Sequence, residues 1–142
     1  MKAIYLDSSV ILADLFGQVQ VEWLRDPEIT LYSSELCEIE IARAIERARL
    51  GGNLSDWTTA LKTKEASQWV QSIQIVPFSS EITNLARIPF GVAVKSLDSL
   101  HVATAQWLGE ALGQEIQFTT HDHQQQRAAL ARGLEVPGAT AP

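Results

Sequence analysis

Residues 1–15 read MKAIYLDSSVILADL, and this stretch decides the fold. A short apolar run within it ends at an acid, Asp7. Such a run predicts a strand over residues 2–7 that is buried on both faces, as strands of a parallel sheet are, with its acid at the carboxyl edge. Ser8 and Ser9 form a good N-cap pair, and the apolar residues after them predict a helix. A buried strand that leads directly into a helix is the opening of a βαβ unit.

The remaining sequence repeats this alternation of strands and helices. Serine pairs or single serines precede several predicted helices (33–34 and 96), and glycines follow them (51–52, 113 and 133). Alternating strands and helices imply an α/β protein with a central parallel sheet and helices on both faces. The further predicted strands cover 29–32, 73–77, 116–120 and a short 134–136; the predicted helices cover 19–25, 35–50, 54–72, 79–88, 96–112 and about ten residues after 122.

The size and composition of the chain predict a single domain. Its 142 residues suit one domain over 1–142, with residues 137–142 as a loose tail. Cys37 is the sole cysteine, so the predicted fold needs no internal disulfide, which favours a reducing compartment. No stretch approaches the roughly 20 apolar residues of a membrane span. We therefore expect a cytoplasmic protein that does not enter a membrane.

The formal net charge of −6 is unusual for a protein that binds nucleic acid. Phosphate neutralisation alone would call for a basic surface. The objection weakens if several acids are metal ligands, because two divalent cations would change −6 to −2 where a phosphate has to approach. The acidity also predicts a partner with a basic segment.

Four acids are candidates for one site at the carboxyl edge of the sheet. Asp7 ends the first predicted strand, and Asp122 lies two residues beyond Thr120, at the end of the fourth. Glu40 lies beside the apolar stripe of its predicted helix, so it can border the core and point outward. Asp98 falls in the first turn of its helix, where the dipole favours a carboxylate. Since ligands of open α/β sheets collect at this edge, we expect the four acids to face one crevice.

Several carboxylates in one crevice repel one another and are costly to desolvate, and a divalent cation relieves both penalties. Mg²⁺ and Mn²⁺ prefer oxygen ligands and retain waters, which suits a site made of acids. Such a cation can activate a water toward a phosphodiester and stabilise the leaving oxygen. Arg43 and Arg47, on the same stripe as Glu40, either contact phosphates at the rim or form a solvated face.

Four short segments form a series along most of the chain. They read YLDSS at 5–9, IEIARA at 39–44, LDSLHVATA at 97–105 and FTTHD at 118–122. One segment alone means little, but the four in this order, with this alternation of strands and helices, are specific. In this series the chain resembles the PIN-domain ribonucleases, and within them the VapC-like toxins of type II toxin–antitoxin systems.

The resemblance implies a fold, a site and partners. The fold would be a three-layer α/β/α sandwich, and the activity a metal-dependent endoribonuclease that uses Mg²⁺ or Mn²⁺ to cut RNA. Such toxins are silenced by a cognate antitoxin and commonly form homodimers. By the same resemblance, the metal-binding and catalytic acids are Asp7, Glu40, Asp98 and Asp122, and the supporting hydroxyls are Ser9 and Thr120.

Taken one at a time, the same residues permit plainer interpretations. An isolated acid is usually a solvated charge; Glu40 can pair with helix neighbours, and Asp98 can be only a cap-region charge. Asp7 is harder to explain in this way, because a carboxylate that closes a buried strand needs a partner. His121-Asp122-His123 lacks the cysteine or spaced histidine pair of a zinc site. His101 suits helix packing or support of the acids better than base catalysis, and its role is left open.

Other function classes fit the sequence less well. A haloacid-dehalogenase-like phosphatase needs a second acid where Ser9 stands, and a receiver domain needs adjacent acids after its first strand. A non-catalytic PIN-fold binding module is the main alternative, although binding alone does not require four converging carboxylates. The tryptophan-bearing helix over 54–72, beside an acidic crevice, predicts docking of an antitoxin tail with a basic residue.

Overall fold

A four-stranded, all-parallel sheet lies at the centre of the protein in its computed structural model, which describes residues 1–18 and 22–138. The strand order is β3-β2-β1-β4. The elements are β1 (Lys2–Leu6), α1 (Ser8–Leu15), a 3-10 turn (Glu22–Arg25), β2 (Ile29–Ser34), α2 (Leu36–Leu50), α3 (Asp56–Ser72), β3 (Gln74–Val76), α4 (Ser80–Arg87), α5 (Ser96–Leu112), β4 (Gln117–Thr119) and α6 (His123–Ala131).

The first strand is interior to the sheet. Tyr5 of β1 pairs with Tyr32 of β2 on one side and with Phe118 of β4 on the other. Because all the strands run in the same direction, the residues that follow them emerge at one edge. Asp7 follows β1 and Thr120 follows β4, so both lie at this carboxyl edge.

Side chains of β1 alternate between two apolar cores, one on each face of the sheet. Tyr5 is fully buried in a core with residues of α4, α5 and α6. Ile4 and Leu6 are buried in a second core with residues of α1, α2 and α3. Burying each such side chain contributes roughly 1.5–3 kcal/mol. Helices on both faces of a parallel sheet make a three-layer α/β/α sandwich, which confirms the predicted fold class.

The starts of α1 and α5 differ from the prediction. Asp7, not the pair Ser8–Ser9, caps α1: its Oδ2 accepts a hydrogen bond from the backbone N–H of Ser9 over 3.2 Å. Lys95, not Ser96, is the residue before α5, because its backbone is still extended while Ser96 is already helical. The first difference matters for the site, since it orients a candidate ligand from its own helix.

The end of the chain forms less sheet than predicted. Instead of a strand over 134–136, Glu135 makes a single parallel bridge with Gln117, and Phe118 donates a backbone hydrogen bond of 2.7 Å to the Glu135 carbonyl. The segment is short because Pro137 has no N–H with which to extend the pairing.

Two other predictions fall partly outside the described residues. The predicted helix over 19–25 is seen only as the 3-10 turn from Glu22 to Arg25, since residues 19–21 are not described. Residues 139–142 of the predicted tail also lie outside the described residues. Among the described residues, no helix has both the length and the apolar content needed to cross a membrane.

Gly113 offers a test of how α5 ends. Its backbone is left-handed, with φ +64°, and closes the helix as the sequence predicts. We expect Gly113→Ala to lower the free energy of unfolding by about 1 kcal/mol, because a β-carbon disfavours this conformation. Gly113→Asn is the control, since Asn tolerates left-handed backbone better. Urea unfolding should rank wild type above Asn and Asn above Ala; equal stability of all three would contradict the assignment.

Candidate functional site

The carboxyl edge of the sheet brings together residues from distant parts of the chain. The end of β2 is tied to the end of β1 by Ser33, whose Oγ donates to the Leu6 carbonyl over 2.7 Å. Glu40 lies in the second turn of α2, and α5 presents Asp98 and His101 in its first two turns. These residues lie on the elements that surround Asp7.

Asp7 is the buried centre of the site, with 5% of its surface exposed. Oδ2 accepts from the Ser9 N–H and lies 3.1 Å from Thr120 Oγ1. Oδ1 accepts from Gln125 Nε2 over 3.4 Å and lies 3.4 Å from His101 Nε2. A buried carboxylate is tolerated only where donors surround it, and these four groups supply that environment.

Glu40 and His101 complete a compact cluster with Asp7. The His101 Nε2 lies 2.6 Å from Glu40 Oε1. One ligand atom from each of Asp7, Glu40 and His101 lies within 4.8 Å of the other two, which is close enough for a shared metal ion. On its other side, the fully buried His101 ring contacts the hydroxyl of Tyr5, 2.7 Å from Nδ1.

The charges of the cluster change the acid–base properties of His101. Burial by itself lowers the pKa of His101, but the hydrogen bond with Glu40 and the charges of Asp7, Glu40 and Asp98 outweigh it and raise the pKa above its ordinary value. The sequence left the role of His101 open. The structure places its ring in contact with two of the candidate acids, Asp7 and Glu40.

Asp98 lies within reach of the other three acids. Burial raises the pKa of its carboxyl, and the negative charges of Asp7, Asp122 and Glu40 raise it further, against the opposing effect of His101. The three acids therefore lie near enough to Asp98 for their charges to affect it. The protein thus carries negative charge at this point that its own groups do not balance.

Asp122 is both a candidate ligand and the N-cap residue of α6. Its Oδ1 caps α6, accepting from the N–H groups of Gln124 and Gln125 over 2.8 and 3.2 Å. Its Oδ2 accepts no hydrogen bond within the part of the chain that the structure describes. The geometric cluster of possible ligands, again among the described residues, includes neither Asp98 nor Asp122. We therefore place both acids around the cluster of Asp7 and Glu40.

The two predicted hydroxyl residues join α1 to the loop before α6. Ser9 Oγ accepts from the backbone N–H of His121 over 3.1 Å and lies 3.3 Å from Thr120 Oγ1. Thr120 Oγ1 accepts from the N–H of Asp122 over 3.1 Å. These bonds hold Asp7 and Asp122 in position relative to each other.

Sequence reasoning missed two residues of the site. Tyr5 was assigned only to a buried strand, although its hydroxyl contacts His101. Gln125 is fully buried, and its Oε1 lies 2.7 Å from Thr120 Oγ1. A signal for Gln125 existed, because it lies three and four residues before the buried Ala128 and Ala129, where an apolar residue is expected.

Residues farther from the cluster have plainer roles. Arg43 and Arg47 are exposed on α2, one and two turns beyond Glu40, so contact with phosphate stays a prediction. Cys37 is buried, and burial raises the pKa of its thiol to about 11, which keeps it protonated and unreactive. Trp57, in contrast, is 75% exposed near the start of α3 and is not part of the core.

The donor set fits a hard divalent cation. Carboxylate oxygens predominate, and the raised pKa of Asp98 indicates negative charge that a cation would neutralise. Mg²⁺ and Mn²⁺ match such a set better than thiolate-seeking metals. The residues that would hold the ion are Asp7 and Glu40, with Asp98 and Asp122 beside them.

Comparison with known proteins places this arrangement in a family. The PIN domain family model matches residues 4–130, which include all four candidate acids. The chain belongs to the PIN-domain family. A curated relative, Ribonuclease VapC46 of Mycobacterium tuberculosis, is 29% identical over 143 residues, covering 96% of this chain and 97% of the relative.

Solved structures show the same PIN fold at low sequence identity. VapBC2 from Rickettsia felis, crystallised with a DNA fragment from its promoter, aligns with a TM-score of 0.65 at 12% identity, over 94% of this chain and 96% of that one. PAE2754 from Pyrobaculum aerophilum aligns with a TM-score of 0.61 at 17% identity, over 95% and 83%. VapBC-1 from nontypeable Haemophilus influenzae gives 0.59 at 11% identity, over 98% and 99%.

The raised pKa of Asp98 in this PIN domain predicts a pH-dependent cost to stability. A carboxyl whose pKa is higher in the folded than in the unfolded chain destabilises the fold when it is ionised, and the cost disappears below the unfolded value. In EDTA at neutral pH, Asp98→Asn should therefore melt a few degrees above wild type. The gain should shrink as the pH falls through the carboxyl range.

The control for this experiment is Asp26→Asn, which changes an exposed aspartate outside the site. It should show no comparable pH-dependent gain in melting temperature. An Asp98→Asn protein that melts below wild type at neutral pH, or a gain that persists unchanged at low pH, would contradict the electrostatic account. Scanning calorimetry over a pH series provides the measurement.

Proposed function

We propose that the protein is a metal-dependent endoribonuclease that hydrolyses RNA phosphodiesters by means of a water activated by Mg²⁺ or Mn²⁺. The observation that carries the proposal is the cluster in which oxygens of Asp7 and Glu40 lie within 4.8 Å of each other and of His101. The charge of these acids reaches Asp98 and raises its pKa. A non-catalytic binding module would have no use for acids held together at this cost.

Each residue of the site has a defined part in this proposal. Asp7 and Glu40 would hold the cation, with Asp98 and Asp122 as further carboxylates beside it. When bound, the cation lowers the pKa of a water and stabilises the charge on the leaving oxygen. Ser9 and Thr120 hold Asp7 and Asp122 in position relative to each other. The exposed Arg43 and Arg47 contact RNA phosphates beside the acids.

The biological role that fits best is that of the toxin of a toxin–antitoxin pair. The relative of similar length is named a VapC ribonuclease, and two proteins of the same fold were solved as VapBC. The cognate antitoxin would be the partner that silences the enzyme, and both would act in the cytoplasm, where RNA is made and translated. A homodimer belongs to the same proposal and is tested by light scattering.

The antitoxin has a candidate docking site in a groove between α2 and α3. The groove has a volume of about 390 Å³. Apolar side chains, among them Ile41, Ile45 and Val70, line its floor, and Glu38 and Glu46 lie at its rim. An amphipathic helix with basic flanks would match this pattern. Since α2 also carries Glu40, a helix seated here could extend a basic residue toward the acids.

Loss of a metal ligand tests the proposed chemistry. Purified protein should cut RNA with Mg²⁺ or Mn²⁺ and stop when EDTA is added. Asp7→Asn should reduce the cleavage rate by more than about 100-fold, since the neutral amide binds the cation poorly. The exposed Asp26→Asn serves as the control and should keep full activity.

Circular dichroism has to show that the Asp7→Asn protein is folded before its activity is interpreted. Cutting that survives EDTA would refute the metal dependence. Full activity of a folded Asp7→Asn protein would refute the role of this residue. Failure of the wild type to cut RNA under any metal condition, while it still binds its partner, would favour the binding module.

Filling the groove tests where the antitoxin docks. Ser67 is exposed on α3 and lines the groove, so Ser67→Trp should obstruct it. We expect binding of the product of the adjacent reading frame to weaken at least about 10-fold, measured by calorimetry, with RNA cleavage unchanged. Lys64→Trp is the matched control, because Lys64 is exposed on the same helix but does not line the groove. Equal effects of the two substitutions would place docking elsewhere.

A further inference from the structure

We propose that Tyr5 fixes the tautomer of His101, so that this histidine donates a hydrogen bond to the metal-binding acids and is excluded from the metal's own ligands. The site is thereby restricted to oxygen ligands and selects Mg²⁺ or Mn²⁺ over Zn²⁺. This inference rests on the proposed metal-dependent function and deepens it, because it assigns a positioning residue and the basis of metal selectivity.

The geometry by itself permits the opposite role for His101. Its Nε2 belongs to the same compact set of atoms as the oxygens of Asp7 and Glu40, all within 4.8 Å of one another. Two carboxylates and an imidazole form a ligand set that suits Zn²⁺. Whether His101 is a ligand depends on which ring nitrogen carries the proton, since only an unprotonated nitrogen can bind a metal.

The hydroxyl of Tyr5 decides this question. It is fully buried, and it accepts a hydrogen bond from the backbone N–H of Ser34 over 3.1 Å. Its own proton then needs an acceptor, and His101 Nδ1 lies 2.7 Å away. Ser33 Oγ, which also lies at this edge of the sheet, donates its own proton to the Leu6 carbonyl. Tyr5 therefore donates to Nδ1, which places the ring proton on Nε2.

The surroundings of Nε2 agree with this assignment. It lies 2.6 Å from Glu40 Oε1 and 3.4 Å from Asp7 Oδ1, and ionised carboxylates only accept. Nε2 must therefore be the donor. The assignment applies to the neutral ring, in which Nδ1 carries no proton and accepts from Tyr5.

Packing of the Tyr5 ring keeps its hydroxyl oxygen beside His101. Its ring is stacked on Phe118, with centroids 5.3 Å apart and planes inclined by 8°. Metal-binding histidines normally donate their second N–H to a carboxylate or carbonyl, which frees the other nitrogen for the metal. Here a donor hydroxyl takes the place of that acceptor, so the arrangement works against metal binding by His101.

Nuclear magnetic resonance can observe the tautomer directly. The chain has three histidines, and His121 and His123 are exposed, so a His121→Gln/His123→Gln protein leaves His101 as the sole imidazole. Long-range ¹H–¹⁵N spectra should show a protonated Nε2, both without metal and after titration with Mg²⁺ or Zn²⁺. A ¹⁵N shift that marks Nε2 as metal-bound would overturn the inference.

A tyrosine variant tests the consequence for metal selectivity. In the same His121→Gln/His123→Gln background, Tyr5→Phe should shift the ratio of Zn²⁺ to Mn²⁺ affinity toward Zn²⁺ by about 10-fold, because Nδ1 then loses the donor that favours a proton on Nε2. Tyr32→Phe is the matched control, since Tyr32 pairs with Tyr5 in the sheet and is only half-buried. It should leave the ratio unchanged.

The possible outcomes distinguish a failure of the proposed metal-dependent function from a failure of the role assigned to Tyr5. Wild-type protein that binds neither Mn²⁺ nor Mg²⁺ in calorimetry overturns the proposed function and this inference together. Wild-type protein that binds Mn²⁺, with an unchanged ratio in folded Tyr5→Phe, overturns this inference alone. If Tyr5→Phe does not fold, the spectra of the Tyr5-containing protein decide the matter.

Discussion

A negative charge buried at the end of the first strand is the constraint on which the rest of the site depends. The Asp7 carboxylate is 5% exposed, so it must be stabilised by donors from the protein. Those donors come from elements that are far apart in the chain: the start of α1, the end of β4, α5 and α6. Satisfying one carboxylate therefore fixes the positions of several elements at the carboxyl edge of the sheet, among them α5, which carries Asp98, and α6, which follows Asp122. Glu40 of α2 is linked to Asp7 through His101.

The same clustering of carboxylates lowers the stability of the fold when no cation is bound, because the acids repel one another. Asp98 lies close enough to Asp7, Asp122 and Glu40 for their charges to raise its pKa, and His101 offsets only part of this repulsion. Proteins commonly accept such local instability where function requires it. Binding of a divalent cation would offset this repulsion, so the affinity for metal and the repulsion among the acids have one physical origin.

His101 and Tyr5 show how the apolar core shapes the chemistry at its boundary. Tyr5 is stacked on Phe118 within the core, and its hydroxyl reaches the ring of His101, which in turn contacts Glu40. The packed core thus positions the carboxylate of Glu40 through two hydrogen bonds, of 2.7 Å between Tyr5 and His101 and of 2.6 Å between His101 and Glu40. The preference for oxygen ligands, on this account, originates in a residue that no metal touches.

The sequence by itself determined the α/β class and the order of the strands and helices, and it singled out the four acids as candidates, because apolar periodicity, caps and short motifs are local features. It did not determine that Asp7 caps its own helix, that 134–136 forms a single bridge, or that Tyr5 and Gln125 support the acids. Those facts depend on which strand lies beside which, and on how deeply each side chain is buried. Contacts such as that between Tyr5 and His101, 96 residues apart, exist only once the sheet has formed, and tertiary structure alone decided them.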